Sequence, residues 1–195
     1  MKNICIIPAR GNSKRIKNKN IRLFNNKPMI SFAIEAAFNS NLFDHIVVST
    51  DNIEIAKIAE EFNAELPFIR PDNLSDDYTN TQSVIKHGIY QCENLSWDFN
   101  FVCCIYPCVP FINLSDLKTS FDIANCSKNS FVFPISEISS NPQRSLGIKQ
   151  NGDIFSLFPD YEKMRTQDLK KGFFDAGQFY WGHKELWKTS KSIHN

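Results

Sequence analysis

The amino-acid sequence predicts an α/β fold of the Rossmann-like, three-layer α/β/α type. Short apolar or β-branched runs alternate three times with segments of helical length, and the connections between them are short. This alternation favours right-handed βαβ units around a mainly parallel sheet. The chain has 195 residues, 42% hydrophobic and 22% charged, which suits one soluble domain with a substantial core.

The hydrophobic periodicity, and the residues that interrupt it, predict the strands and helices along the chain. Strands are predicted at residues 4–7, 45–50, 65–69, 99–106, 130–135 and 173–181. Helices are predicted at residues 29–38, 53–62, 81–93 and 116–124, with Pro28 suited to a first turn and Ser115 as a cap. Polar segments and Asn151-Gly152 predict a hairpin excursion from the sheet over about residues 136–172.

Composition narrows the classes of function. A net charge of +1 provides no long-range attraction to nucleic acid or to an anionic membrane, so neither is an expected partner. The six cysteines lack zinc-site spacing, and buried reduced thiols are expected. The four histidines show no metal-ligand spacing. The apolar run at the start is too short for a signal peptide, so a cytoplasmic protein is expected.

The segment after the first strand carries the strongest functional pattern. Pro8 ends the strand, and a glycine loop rich in cations follows, with Arg10, Gly11 and Lys19 as its main members. Such loops at the carboxyl end of a parallel strand bind phosphates, because backbone N–H groups approach the anion and cations neutralise it. The spacing matches neither the dinucleotide fingerprint nor the P-loop, and a solvated basic loop is the alternative.

Four sequence blocks together resemble one family. They are I-I-P-A-R-G-N-S-K-R with K-N following it, V-V-S-T-D, R-P-D-N-L-S-D-D-Y-T-N-T and D-A-G-Q-F-Y-W-G. In this order and separation they are similar to the cytidylyltransferases that activate nonulosonic acids, and C-C-I-Y and the last block resemble the pseudaminic acid branch most. The resemblance implies a nucleotide-diphospho-sugar transferase fold and transfer of CMP from CTP to an acidic nine-carbon sugar, with release of pyrophosphate.

The resemblance also implies a nucleotide site. Arg10 and Lys19 would hold triphosphate oxygens and act as the catalytic residues, and Arg70 would recognise the cytidine end. Thr79, Asn80 and Thr81 would be nucleotide contacts or a helix cap, two roles that the residues leave open. The full implied nucleotide site comprises Ala9, Arg10, Gly11, Asn12, Ser13, Lys19, Asn20, Arg70, Thr79, Asn80 and Thr81. Lys14, Arg15 and Lys17 could join it or be exposed cations.

The sugar side of the site is implied by later positions. Tyr106 stands where sialic-acid enzymes carry a glutamine, so sugar specificity is expected to be set there. Gln143, Arg144 and Arg165 would approach the sugar carboxylate, which an arginine binds bidentately, or would lie in a dimer interface. Asp175, Gly177 and Gln178 would line the sugar pocket, and Asp175 is also a candidate metal contact.

Mg²⁺ is the cofactor that the resemblance implies, although the family's usual I-D-T-x-x-D ligand segment is absent from this sequence. The expected enzyme is therefore a shortened cytidylyltransferase of the pseudaminic acid type. It would be a homodimer that dimerises through the excursion. A CMP-sialic or CMP-legionaminic acid synthetase is one alternative, and a non-catalytic nucleotide-binding module is another.

Overall fold

The structure is a computed structural model that describes residues 2–11, 13, 16–189 and 192–194. In chain order the strands and helices are β1 (Asn3–Pro8), β2 (Leu23–Phe24), β3 (Lys27–Pro28), α1 (Met29–Ser40), β4 (His45–Ser49), α2 (Ile53–Glu61), α3 (Thr81–Asn94), β5 (Phe101–Ile105), α4 (Leu114–Cys126), β6 (Ile135–Glu137), β7 (Leu146–Ile148), β8 (Ile154–Ser156), β9 (Phe173–Asp175), β10 (Phe179–His183) and α5 (Lys184–Thr189).

The chain forms two compact units, residues 1–134 with 177–195 and residues 135–176. In the described part of the first unit, four strands form one sheet in the order β10-β5-β1-β4. Strand β1 pairs in parallel with both β4 and β5, while β10 is antiparallel to β5. After β1, the chain adds β4 on one side of it and β5 on the other. The carboxyl end of β1 is therefore a topological switch point, which is where open α/β sheets bind ligands.

Helices cover both faces of this sheet. Successive residues of a strand point to opposite faces, so Cys5 and Ile7 pack with apolar residues of α1, α2 and α4. Ile4 and Ile6 pack on the other face with residues of α3 and with Trp187 of α5. This is the three-layer arrangement that the alternating sequence predicted.

Three predicted strands differ in the structure, and prolines or a glycine explain each difference. Segment 65–69 makes only one bridge, Val47 to Glu65, because Pro67 has no N–H to continue a ladder. In segment 130–135, Val132 makes an isolated bridge to Trp181, Pro134 interrupts the strand, and Ile135 begins β6. Segment 173–181 is two strands, β9 and β10, separated where Gly177 adopts a left-handed φ of 63°.

The second unit is built from two short antiparallel pairs. Strands β7 and β8 form the hairpin predicted around Asn151-Gly152, where Gly152 has a φ of 90°. Strands β6 and β9 form the other pair and bring the two ends of the unit together. Among the described helices, none combines the length and the apolarity that crossing a bilayer would need.

Candidate active site

A cavity of about 640 Å³ opens at the carboxyl edge of the sheet in the first unit. The end of β1 and the loop after it contribute Pro8, Arg10, Ser13, Lys19 and Asn20 to its wall. The loop before α3 and the first turns of that helix contribute Arg70, Leu74, Asp76, Asp77, Thr79, Thr81 and Val84. The turn after β5 adds Tyr106, Pro107 and Cys108, and Gly177 completes the described lining.

Arg10 bridges two of these loops. Its Nη1 donates to the carbonyl oxygen of Asp76 at 2.6 Å, and its Nη2 lies 2.8 Å from Oδ1 of Asp77. Asp76 also shapes the loop, since it accepts from the Thr79 hydroxyl and from the N–H groups of Tyr78 and Thr79. The Thr79 hydroxyl is the main reason that the pKa of Asp76 lies below its usual value. The guanidinium of Arg10 is therefore held over the cavity by groups that an anionic ligand could replace.

Arg70 is a buried cation in the cavity wall, with only 4% of its surface exposed. Its Nη2 donates to the carbonyl oxygen of Ser49 at 2.9 Å, while its buried Nε has no hydrogen-bond partner among the described residues. Burial lowers the pKa of Arg70, and the nearby Asp51 carboxylate opposes that shift. A buried donor without a partner is costly, so this side chain is suited to an acceptor supplied by a ligand.

Asn20 and Cys108 join the loop after β1 to the turn after β5. Asn20 is 4% exposed, and its Nδ2 donates to the carbonyl oxygen of Arg10 at 2.8 Å. The Cys108 thiol donates to Oδ1 of Asn20 at 3.3 Å. Burial raises the pKa of Cys108, although Lys19 opposes the shift, so the thiol keeps the proton that this bond needs. Asn20 is thus oriented from both ends.

Tyr106 and Thr81 connect the turn after β5 with the start of α3. The Tyr106 hydroxyl and Oγ1 of Thr81 lie 2.9 Å apart, and both side chains line the cavity. The N–H of Tyr106 donates to the carbonyl oxygen of Gln178 at 2.9 Å, so the segment before β10 supports this wall. The position expected to set sugar specificity therefore lies in the same cavity as Arg10 and Lys19.

The structure distributes the remaining implied nucleotide residues differently. Ala9 is fully buried and pairs with Ser49 through its backbone, and Gly11 donates its N–H to Asp51. Neither belongs to the cavity lining. Asn80 accepts from the N–H of Ser83 at 2.8 Å, which makes it the N-cap of α3. Asn12, Lys14 and Arg15 lie outside the described residues, and Lys17 is exposed.

Four of the implied sugar-binding residues belong to the second unit, and their role in sugar binding stays a prediction. Arg144 donates to the carbonyl oxygens of Glu162 and Met164, and Arg165 pairs with Asp168 at 2.8 Å. The N–H of Gln143 donates to the Asn141 side chain, and its buried Oε1 has no partner among the described residues. Asp175 ends strand β9.

Sequence reasoning gave no role to Asp51, Asp76, Asp77 or Cys108. Asp51 could have been identified from the sequence, because a polar residue shortly after β4 reaches the same sheet edge as the basic loop. The pairing of Asp77 with Arg10 and of Cys108 with Asn20 joins residues far apart in sequence. No local pattern indicates such partners.

Sequence comparisons show which known proteins this chain resembles. The family model described as "Cytidylyltransferase" matches residues 4–151. The pseudaminic acid cytidylyltransferase of Campylobacter jejuni serotype O:2 is 40% identical over 187 residues, which cover 96% of this chain and 81% of that protein. The CMP-N,N'-diacetyllegionaminic acid synthase of the same organism is 46% identical over 90 residues, 46% of this chain and 38% of that protein.

A solved structure of CMP-2-keto-3-deoxy-manno-octonic acid synthetase with CTP superimposes with a TM-score of 0.72. The alignment covers 96% of this chain and 76% of that one at 16% identity. This structural similarity shows the fold and confirms the predicted fold class. The family model spans most of the sequence, and the 40% identical relative aligns with nearly all of it. The chain therefore belongs to the cytidylyltransferase family.

Proposed function

We propose that this chain transfers the CMP group of CTP to pseudaminic acid and releases pyrophosphate. The observation that supports the proposal best is the 40% identity, over 96% of the chain, to a protein named for this activity. In the reaction the anomeric hydroxyl of the sugar attacks the α-phosphorus, and the bond from that phosphorus to the leaving pyrophosphate breaks. Charge spreads over phosphoryl oxygens, so the protein acts mainly by positioning and electrostatic stabilisation.

In this proposal Arg10 and Lys19 hold the triphosphate, and Arg70 binds the cytidine end. All three cations line one cavity at the switch point of the sheet, which supports a single nucleotide site. Arg10 exchanges Asp77 and the Asp76 carbonyl for phosphate oxygens when CTP enters. The buried Nε of Arg70 gains an acceptor from the ligand, which removes the cost of an unpaired donor.

The proposal places the sugar next to Tyr106. Its hydroxyl is held by Thr81, and its ring packs edge-on against Tyr180 at a centroid distance of 5.4 Å. A fixed phenol can hydrogen-bond one sugar substituent and exclude water, which is how such a residue discriminates among acidic sugars. Gly177 lines the same cavity, and a contact of Gln178 with the sugar stays a prediction.

Mg²⁺ stays a prediction from the family resemblance. Among the described residues, no group of three or more His, Cys, Asp or Glu side chains could hold a metal ion. The cavity carboxylates are already engaged, Asp76 by Thr79 and Asp77 by Arg10. These side chains do not form a metal site by themselves.

A homodimer is part of the proposal, and the surface of the second unit supports it. Many large apolar side chains of this unit are exposed, more than single scattered residues would explain. They are Ile135, Leu146, Ile148, Ile154, Phe155, Leu157, Phe158, Met164, Phe173 and Phe174. We propose that two copies associate through this apolar surface, and that the enzyme acts in the cytoplasm.

The test is pyrophosphate release with CTP, Mg²⁺ and a panel of nonulosonic acids, with CTP affinity measured separately by calorimetry. Release with pseudaminic acid is the expected result. CTP binding without release for any sugar would leave only a nucleotide-binding module. The 46% identical segment shared with a legionaminic acid synthase favours one rival. Release with legionaminic acid and not with pseudaminic acid would establish that rival.

A further inference from the structure

The loop after β1 is attached to the end of β4 by a charged hydrogen bond. The N–H of Gly11 donates to Oδ1 of Asp51 at 2.8 Å, across 40 residues of sequence. A carboxylate acceptor makes such a bond about twice as strong as a neutral one. The bond lies within the first unit, where the parallel strands β1 and β4 both end.

Close packing reinforces the attachment. A Cβ atom at Gly11 would lie 2.8 Å from Cβ and 2.9 Å from Nδ2 of Asn52, so only glycine fits against that side chain. Asn52 cannot easily move aside, because its Oδ1 accepts from the N–H groups of Glu54 and Ile55 as the N-cap of α2. The loop therefore rests on a rigid helix terminus.

The same end of β4 also holds Arg70. The N–H of Arg70 donates to the carbonyl oxygen of Thr50 at 2.8 Å, and its Nη2 donates to that of Ser49. Asp51 is the acidic group whose charge favours this buried guanidinium. Asp51 is thus linked to both cationic parts of the cavity, the basic loop by a hydrogen bond and Arg70 by charge.

We propose that Asp51 is a positioning residue that holds the basic loop in register with Arg70 while touching neither CTP nor sugar. If the Asp51 carboxylate faced the triphosphate, the two anions would repel each other. Because this carboxylate accepts the N–H of Gly11, it instead orients the loop and its cations. This inference rests on the proposed use of CTP. The wild-type protein is therefore first tested for CTP binding and turnover. A failure of the proposed function would appear at that step, before any Asp51 variant is measured.

The first measurement needs no variant. We expect the amide proton of Gly11 to exchange slowly with solvent in the wild-type protein, since it is bonded to a carboxylate. Exchange as fast as in an unstructured loop would overturn the proposal.

The second measurement compares Asp51→Ala and Asp51→Asn by steady-state kinetics and melting temperature. Asp51→Ala removes the acceptor, so the KM for CTP rises about tenfold or more, and the KM for the sugar changes little. Asp51→Asn retains a carbonyl oxygen for Gly11 but loses the charge that favours Arg70, so it recovers only part of that loss. The matched control is Asp44→Ala, since Oδ2 of Asp44 accepts the N–H of Asn3 at 2.8 Å, at the other end of β1. The control leaves both KM values within twofold.

Two kinetic outcomes would overturn the proposal. An unchanged KM for CTP in folded Asp51→Ala would show that the bond positions nothing. Equal losses in both variants, together with a higher Mg²⁺ requirement, would make Asp51 a metal ligand instead. If Asp51→Ala does not fold, Asp51→Asn and the Gly11 exchange rate decide between these outcomes.

Discussion

At the scale of single residues, Gly11 shows how a side-chain contact can demand glycine. The structure leaves no room for a Cβ atom there, because Asn52 occupies the space. The glycine of the basic loop is therefore needed for its packing on α2, in addition to any approach of phosphate to the backbone. Sequence reasoning considered only the second role.

Gly11→Ala is expected to raise the KM for CTP about tenfold, because overpacking costs about 1–3 kcal/mol and shifts the loop. Asn52→Gly removes the obstructing side chain and costs the α2 cap only a few tenths of a kcal/mol. The double variant should then recover most of the affinity, as steady-state kinetics would show. A double variant as impaired as Gly11→Ala would contradict the steric explanation, and Asn52→Gly alone is the control.

Cys108 offers a second residue-scale prediction. Cys108→Ala removes the donor to Asn20, and a lost hydrogen bond of about 0.5–1.5 kcal/mol raises the KM for CTP about two- to tenfold. Cys108→Ser restores a donor and should stay within twofold of wild type. Cys126→Ala is the matched control, since that thiol is exposed. Equal effects of alanine and serine at position 108 would show that the hydrogen bond is unimportant.

At the scale of elements, the N-terminus of α3 shows which of the three candidate residues caps the helix. Asn80 acts as a cap in the structure, whereas Thr79 and Thr81 on either side of it line the cavity. Asn80 therefore has the cap role, and nucleotide contact by Thr79 or Thr81 stays a prediction. Asn113 caps α4 in the same way by accepting from Ser115, which corrects the prediction of Ser115 as the cap.

Asn80→Ala and Asn113→Ala are therefore a matched pair. Each should lower the free energy of unfolding by about 1 kcal/mol, because each removes an N-cap acceptor. Denaturant unfolding measures this loss, and CTP calorimetry of the same proteins measures binding. If Asn80 is only a cap, the two variants bind CTP equally well. Weaker binding in Asn80→Ala alone would restore the nucleotide contact that the family resemblance implied.

At the scale of the whole molecule, exposed apolar surface is the feature that calls for a partner. Hairpin β7–β8 exposes 76% of Ile148, and the other strands of the second unit carry further exposed apolar side chains. Such a patch is unfavourable in water unless it is covered. This supports the proposed homodimer.

Ile148→Asp is expected to convert the dimer into a monomer, because a charge in an apolar interface loses its hydration without a partner. Sedimentation equilibrium measures the change. Ile53→Asp is the control, since Ile53 is 71% exposed at the start of α2, where an acidic residue is tolerated. A wild-type protein that is already monomeric, or an Ile148→Asp variant that remains dimeric, would contradict the proposed interface.

The sequence by itself determined the elements whose information is local. The apolar runs of β1, β4 and β5, the helical segments between them and the cations after Pro8 all follow from short patterns. These patterns also place the basic loop at the carboxyl edge of a parallel sheet, which is where the cavity lies. Pro67 and Pro134 are also local signals, since each proline predicts a break in the strand around it.

Only the tertiary structure decided which distant groups meet. The antiparallel direction of β10, the pairing of Arg10 with Asp77 and the bond from Cys108 to Asn20 each join residues separated by more than 60 positions. Periodicity and propensity describe neighbours along the chain. A cavity wall instead combines residues from segments that are distant in sequence, and it depends on which polar groups the fold buries. The physical reason is that a side chain's partner depends on the whole fold, and no short stretch of sequence contains it.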